Sequence, residues 1–114
     1  MTKIEQTLLD IGVPAHLSGF KCLTDAVGLV EKNPAYLRSI TKELYPKVAL
    51  LNGSNSTRVE RAMRHAIEAS FDRNRDPEAI KKYFGNTISA NTGKVTNAEF
   101  IAIIAMNVRD WEGV

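Results

Sequence analysis

The residues best suited to chemistry stand close together. Arg58, Arg61 and Arg64, with Glu60 and His65 among them, occupy the stretch from 58 to 65. Placed on a helix at about 100° per residue, Arg58, Arg61, Arg64, His65, Glu68 and Asp72 fall on one side, and Val59, Met63, Ala66, Ile67 and Ser70 on the other. Arg61 lies almost opposite the centre of the apolar stripe, so it faces solvent or a partner. A guanidinium is a planar fork of donors that fits phosphate oxygens and the O6 and N7 acceptors of guanine. Glu60 sits on the flank of that face. A carboxylate there is costly beside phosphates, yet it can accept from cytosine N4. A plainer reading fits the same residues, because Glu60, Arg64 and Glu68 form an i,i+4 ladder on a solvated face. The charges alone leave both readings open.

Elsewhere the reactive side chains are sparse. The single cysteine, Cys22, excludes an intramolecular disulfide and a multi-cysteine zinc site, and it reads as a partly buried structural thiol. His16 follows Pro14 and reads as a turn residue. His65 can donate to a phosphate when protonated, or simply pack. The acidic residues form no paired-carboxylate pattern, and Gly53 and Gly85 stand alone rather than in a phosphate-cradling loop. The expectation is a protein that is not an enzyme, with no metal and no cofactor.

The elements that must position the arginines are helical. Apolar residues recur at three and four, without long β-branched alternation, and predict an all-α domain. A first helix is expected over Ile4 to Ile11, ended by Gly12, with a connector through Pro14. A second runs from about Gly19 to Lys32, with Phe20, Leu23, Val27 and Val30 facing inward. Asn33 and Pro34 cap and start a third, carrying Leu37, Ile40 and Leu44. Pro46 then breaks the chain or starts a new helix, Tyr45 to about Leu51. After the turn Asn52-Gly53-Ser54-Asn55-Ser56, Thr57 and Glu60 read as a capping box that opens a helix to about Phe71. Asp76 and Pro77 start another, which ends at Gly85. A loop from Gly85 to about Val95 follows, long enough to be mobile or functional. Thr96 and Glu99 form a second capping box, opening a last helix with Phe100, Ile101, Ile104, Ala105 and Val108 inward. Trp111 is expected in the core. Helix, short turn with Gly53, and longer helix make a helix-turn-helix over about 45–71, with Ala49 and Val59 where the two helices touch.

At 114 residues, 44% hydrophobic and 25% charged, the chain suits one soluble domain, residues 1–114. Its polar N-terminus is unlike a signal peptide, and no apolar run could span a membrane, so the expectation is a cytoplasmic protein with no membrane partner. The formal net charge is only +2. Its distribution is uneven. Residues 1–41 balance to zero, residues 42–75 hold seven basic against four acidic side chains for +3, and residues 76–114 carry −1. The excess coincides with the helix-turn-helix.

Four ordered blocks carry a resemblance. Arg58-Val59-Glu60-Arg61-Ala62-Met63-Arg64-His65-Ala66-Ile67-Glu68 resembles the recognition helix of the sporulation master response regulator family, stage 0 sporulation protein A, of endospore-forming bacteria. Ile11-Gly12-Val13-Pro14-Ala15-His16 with Gly19 resembles its first connector, Thr41-Lys42-Glu43-Leu44-Tyr45-Pro46 the approach to its helix-turn-helix, and Thr96-Asn97-Ala98-Glu99-Phe100-Ile101-Ala102 its last helix. The resemblance is to the C-terminal effector domain. It implies six helices, regulation of transcription, and binding of double-stranded DNA at short promoter boxes. It further implies Arg58, Glu60 and Arg61 as base-reading residues, and Ser56, Thr57, Arg64, His65 and Lys94 as backbone or supporting contacts. Contact with the RNA polymerase sigma subunit, and head-to-tail pairs on tandem boxes, follow from the same resemblance. The resemblance covers the effector domain and not the family's usual receiver domain, so either an excised effector domain or a stand-alone homologue is expected.

The chain departs from the family pattern in places. Phe71 stands where Trp is usual, and Asn74 near a usual Gly. The turn Asn52-Gly53-Ser54-Asn55 differs, and Leu50-Leu51 replaces a basic pair. These departures keep open an alternative, a protein-interaction module of the same fold that has lost specific DNA reading.

Overall fold

The computed structural model describes residues 2–73, 77–85 and 95–112. Among them the chain is all-α: α1 Lys3–Ile11, α2 Ser18–Lys32, α3 Tyr45–Leu51, α4 Ser56–Arg73, α5 Pro77–Phe84 and α6 Asn97–Glu112. The radius of gyration, 13.1 Å, is that of one domain. Asp76, Lys94 and most of the expected loop after Gly85 lie outside the described residues, as does the side chain of Trp111.

Each helix begins and ends for a local reason. Thr2 caps α1: its hydroxyl accepts from the Glu5 N–H at 3.1 Å, and the Glu5 carboxylate accepts from the Thr2 N–H at 3.0 Å. The hydrogen bond to the Thr2 backbone, foremost, holds the Glu5 carboxyl below its ordinary value. Gly12, at φ 101°, ends α1 in the left-handed conformation that a side chain disfavours. The N–H groups of Gly12 and Val13 reach the carbonyls of Leu9 and Leu8 at 3.0 and 2.9 Å, which closes the last turn. At α6 the expected capping box is present, with Thr96 and Glu99 bonding each other's N–H at 3.0 and 3.1 Å. Gly85, at φ 50°, follows α5.

The expected third helix is not one helix. Asn33 does act as a cap, its side chain accepting from the Ala35 N–H at 3.3 Å, but the segment it opens is a five-residue 3₁₀ helix, Pro34–Arg38. The backbone breaks at Ser39 (φ −145°, ψ 52°) and resumes as a wide π turn over Ile40–Leu44 that runs directly into α3. Pro46 supplies the physical reason for the wide turn. Its missing N–H and bulky ring are incompatible with a regular turn over the preceding residues. Widening that turn lets the Leu44 N–H reach the Ser39 carbonyl at 3.1 Å, five residues back.

The core is built around α2, which packs chiefly on α4 and α6. Leu23, Ala26 and Val27 of α2 share one buried cluster with Val59, Met63, Ala66 and Ile67 of α4 and Phe100, Ile101 and Ile104 of α6. Phe20, expected on the inner face of α2, is only partly buried against it. Aromatic rings tie three helices: Phe84 of α5 meets Phe71 of α4 edge-on at 5.5 Å and stacks on Phe100 of α6 at 5.4 Å. No described helix is long and apolar enough to cross a membrane.

Candidate nucleic-acid interface

The turn between α3 and α4 is held from both sides. The Asn52 side chain donates to the Val48 carbonyl at 2.8 Å and to Asp25 of α2 at 2.9 Å, and Asp25 also pairs with Lys21 at 2.8 Å. Gly53 adopts φ 60°, and the Ser54 N–H reaches the Ala49 carbonyl at 2.9 Å. The chain thus leaves α3 in a left-handed turn that only glycine adopts without strain.

That turn decides where α4 begins, and it corrects one expectation. Thr57 is not the cap, and Thr57 and Glu60 do not form a capping box. Asn55 is the cap: its side chain accepts from the Arg58 N–H at 2.9 Å, and its carbonyl accepts from the Val59 N–H at 3.0 Å. Asn is the stronger capping residue, and it comes first along the chain after the Gly53 turn. Ser56 and Thr57 become the first two residues of the helix, with Thr57 exposed and Ser56 half-buried at its positive end.

α4 then lies down on α2 through the face the sequence predicts. Val59, Met63, Ala66, Ile67 and Ser70 are all buried, and the Ser70 hydroxyl donates to the Ile67 carbonyl at 2.6 Å. The approach is close because residue 19 is glycine. A Cβ there would overlap the Ala62 carbonyl oxygen and lie 2.7 Å from the Ala66 side chain.

The opposite face carries the charge. Arg58, Arg61, Arg64, His65 and Asp72 are exposed, and Glu68 is half-buried. The arginines are not equivalent. Arg64 donates to the Glu60 carboxylate at 2.7 Å, a pair that solvent keeps weak. Among the described residues neither Arg58 nor Arg61 joins an ion pair. Two free guanidinium forks therefore stand one turn apart, beside a carboxylate already engaged by its neighbour.

Glu60 also borders a groove of about 690 Å³ between α4 and the start of α6, with Tyr45, Ile67, Phe71 and Asn97 among its walls. At its edge the buried Asn97 side chain donates to the Tyr45 hydroxyl and to the Glu60 carbonyl, both at 3.1 Å. Burial, foremost, raises the Tyr45 phenol above its ordinary value, with the nearby Glu60 charge adding to it against the Asn97 hydrogen bond. Cys22 lines a smaller cleft of about 290 Å³ under the turn, near Gly53 and Arg58. Cys22 is buried rather than partly buried, and burial likewise raises its thiol, so the thiolate is disfavoured.

Sequence reasoning placed Gly19 and Asn97 in the matching blocks and Asn55 in the turn, but gave none of them a role in the site. Asn55 carried a signal, as a strong cap just after a glycine turn. Asn97 and Gly19 act through partners 37 or more residues away, which no local pattern announces. On α3, Leu50 and Leu51 are 75% and 51% exposed, an apolar pair at the free end of that helix. Among the described residues no group of three His, Cys, Asp or Glu could hold a metal ion.

The helix-turn-helix, its glycine turn and the basic outer face of α4 agree with one comparison. The family model described as the sporulation initiation factor Spo0A C terminal matches residues 4–108, nearly the whole length, and the chain belongs to that family.

Proposed function

We propose that this domain regulates transcription by reading short boxes in double-stranded DNA, with α4 in the major groove. The family is one of DNA-binding effector domains, which supports DNA as the partner. The observation that carries the finer reading is the pair of exposed guanidinium groups, Arg58 and Arg61, unengaged by any described carboxylate on the solvent face of a well-seated helix. In this reading Arg58 and Arg61 donate to guanine edges, and Glu60, steadied by Arg64, accepts from cytosine. Ser56 and Thr57, at the positive end of α4, take a phosphate together with Arg64, His65 and Lys94. Two copies on tandem boxes would lie head to tail, and an activating copy would touch the RNA polymerase sigma subunit.

The test is an anisotropy titration of a duplex bearing the family's promoter box against a scrambled duplex of equal length. A clear preference for the box, lost steeply with added salt, is expected. Equal binding to both duplexes would sink the reading.

A second reading rests on Leu50 and Leu51. Two exposed leucines on the helix that precedes the recognition helix suit a protein partner better than phosphates. Under that reading neither duplex binds at moderate salt.

A further inference from the structure

We propose that Asn97 is a positioning residue for DNA reading: from the start of α6, its side-chain amide clamps α4 to α3 and sets the roll of the arginine face. The inference rests on the DNA-reading function proposed above.

Asn97 is the first residue of α6, and the backbone there is already capped by Thr96 and Glu99. Its amide is therefore not needed to start its own helix. Both of its protons go to distant elements instead, one to the hydroxyl of Tyr45, the first residue of α3, and one to the carbonyl of Glu60, five positions into α4. The amide nitrogen must face Glu60, because a backbone carbonyl can only accept. Asn97 and Tyr45 are both buried, so this is a shielded junction of three helices.

The second anchor of α4 lies on its other flank. Gly19 admits α4 at Ala62, two residues beyond Glu60 and thus about 200° further around the helix. Held at opposite flanks and nearly the same height, α4 cannot roll without losing one contact. A roll of about 10° moves a point at about 6 Å from the axis by roughly 1 Å. That is enough to spoil a bidentate contact, which tolerates about 0.5 Å. Arg61 follows Glu60 directly, so its guanidinium inherits whatever angle the clamp sets.

Two substitutions dissect the junction. Asn97→Asp keeps the shape but turns a donor into an acceptor. The Tyr45 hydroxyl can turn round and donate to it, while the Glu60 carbonyl cannot. An acidic residue in the first turn is favoured by the helix dipole, so α6 still starts. Tyr45→Phe removes only the other bond. Asn97→Asp should weaken binding to the family box about tenfold, as expected for one lost hydrogen bond. Binding to the scrambled duplex should stay within about twofold, since phosphate contacts tolerate a small roll. Tyr45→Phe should act in the same direction and less. In the free protein, amide hydrogen exchange over residues 59–64 should quicken in Asn97→Asp while α1 stays protected.

A folded Asn97→Asp that keeps the box-to-scrambled ratio overturns the proposal, as does a fall in Tm with that ratio intact. If the wild-type chain does not prefer the box, the DNA-reading function fails. The exchange pattern then decides the clamp alone: local quickening in α4 supports it, and unchanged exchange removes it. If Asn97→Asp does not fold, Tyr45→Phe makes the same decision by the same two measurements.

Discussion

The two faces of α4 are built on opposite terms. The inner face carries only small or apolar side chains and one satisfied hydroxyl, all buried, and it meets α2 where a glycine lets the backbones come close. The outer face carries three arginines, a histidine and an aspartate in solvent, and Arg64 pairs there with Glu60. The division teaches where stability and binding are separable. Change on the inner face must be felt by the whole fold, because close-packed interiors do not absorb new atoms. Change on the outer face should leave the fold alone and alter only what the helix can hold.

The strongest way to break that comparison is at Gly19. Gly19→Ala places a carbon against the Ala62 carbonyl oxygen, which is backbone and cannot swing aside. A loss of about 3 kcal/mol is expected, the upper end for overpacking. Urea unfolding followed by circular dichroism measures it. A variant as stable as wild type would mean that α4 is free to move away from α2, and the inner face would lose its claim to rigidity.

Arg61→Ala makes the reverse test. Stability should change by less than about 0.5 kcal/mol, as at most exposed positions. Binding to the box should weaken by about 1–3 kcal/mol, with the preference over a scrambled duplex reduced. An unchanged preference would show that the reading face lies elsewhere on α4. Lys94→Ala should instead weaken both duplexes alike.

Leu50 and Leu51 sharpen the comparison, because they are an exposed apolar pair on the helix just before α4. Replacing both with Lys should raise affinity for both duplexes and steepen the dependence of log K on log salt by about 1.8, from two added phosphate contacts. A slope that does not move would show that this end of α3 does not face the DNA backbone. It would then favour a protein partner there.

Much of this division was legible in the sequence. The 3.6-residue period sorted the faces of α4 and α6 correctly, since burial of an amphipathic stripe needs no distant information. Caps were legible only in part, and the Thr-x-x-Glu pattern shows why. It occurs at Thr2, Thr57 and Thr96. At Thr96 it is a capping box as expected, and at Thr2 it is one that a start at Ile4 leaves unused. At Thr57 it is not, because Asn55 reaches the cap first and Glu60 is left to Arg64. The pattern states what a segment can do, and the path of the preceding turn decides whether it does so. The wide turn has the same lesson, since Pro46 acts backward on residues 40–44 whose own apolar spacing suits a regular helix. The joining of Asn97 to Tyr45 and Glu60 depends on three helices meeting, and one-dimensional spacing contains no sign of it.

The smallest expected effect uses pH. Two weak acids flank the inner side of the helix-turn-helix, Cys22 from α2 and Tyr45 from α3, and burial raises both above their ordinary values of 9.0 and 10.0. A raised acid ionises first in the unfolded chain, so unfolding releases protons as the solution becomes alkaline. The stability tied to these groups is complete below about pH 9 and is lost as pH rises from there through the raised values. The arginines outside stay charged throughout that range, so the outer face contributes no such slope. The urea midpoint should therefore fall as pH rises above about 9, and the Cys22→Ser, Tyr45→Phe double variant should flatten that fall. A double variant as alkali-sensitive as wild type would place the titrating groups elsewhere, and the contrast between a dry inner face and a wet outer one would lose its electrostatic half.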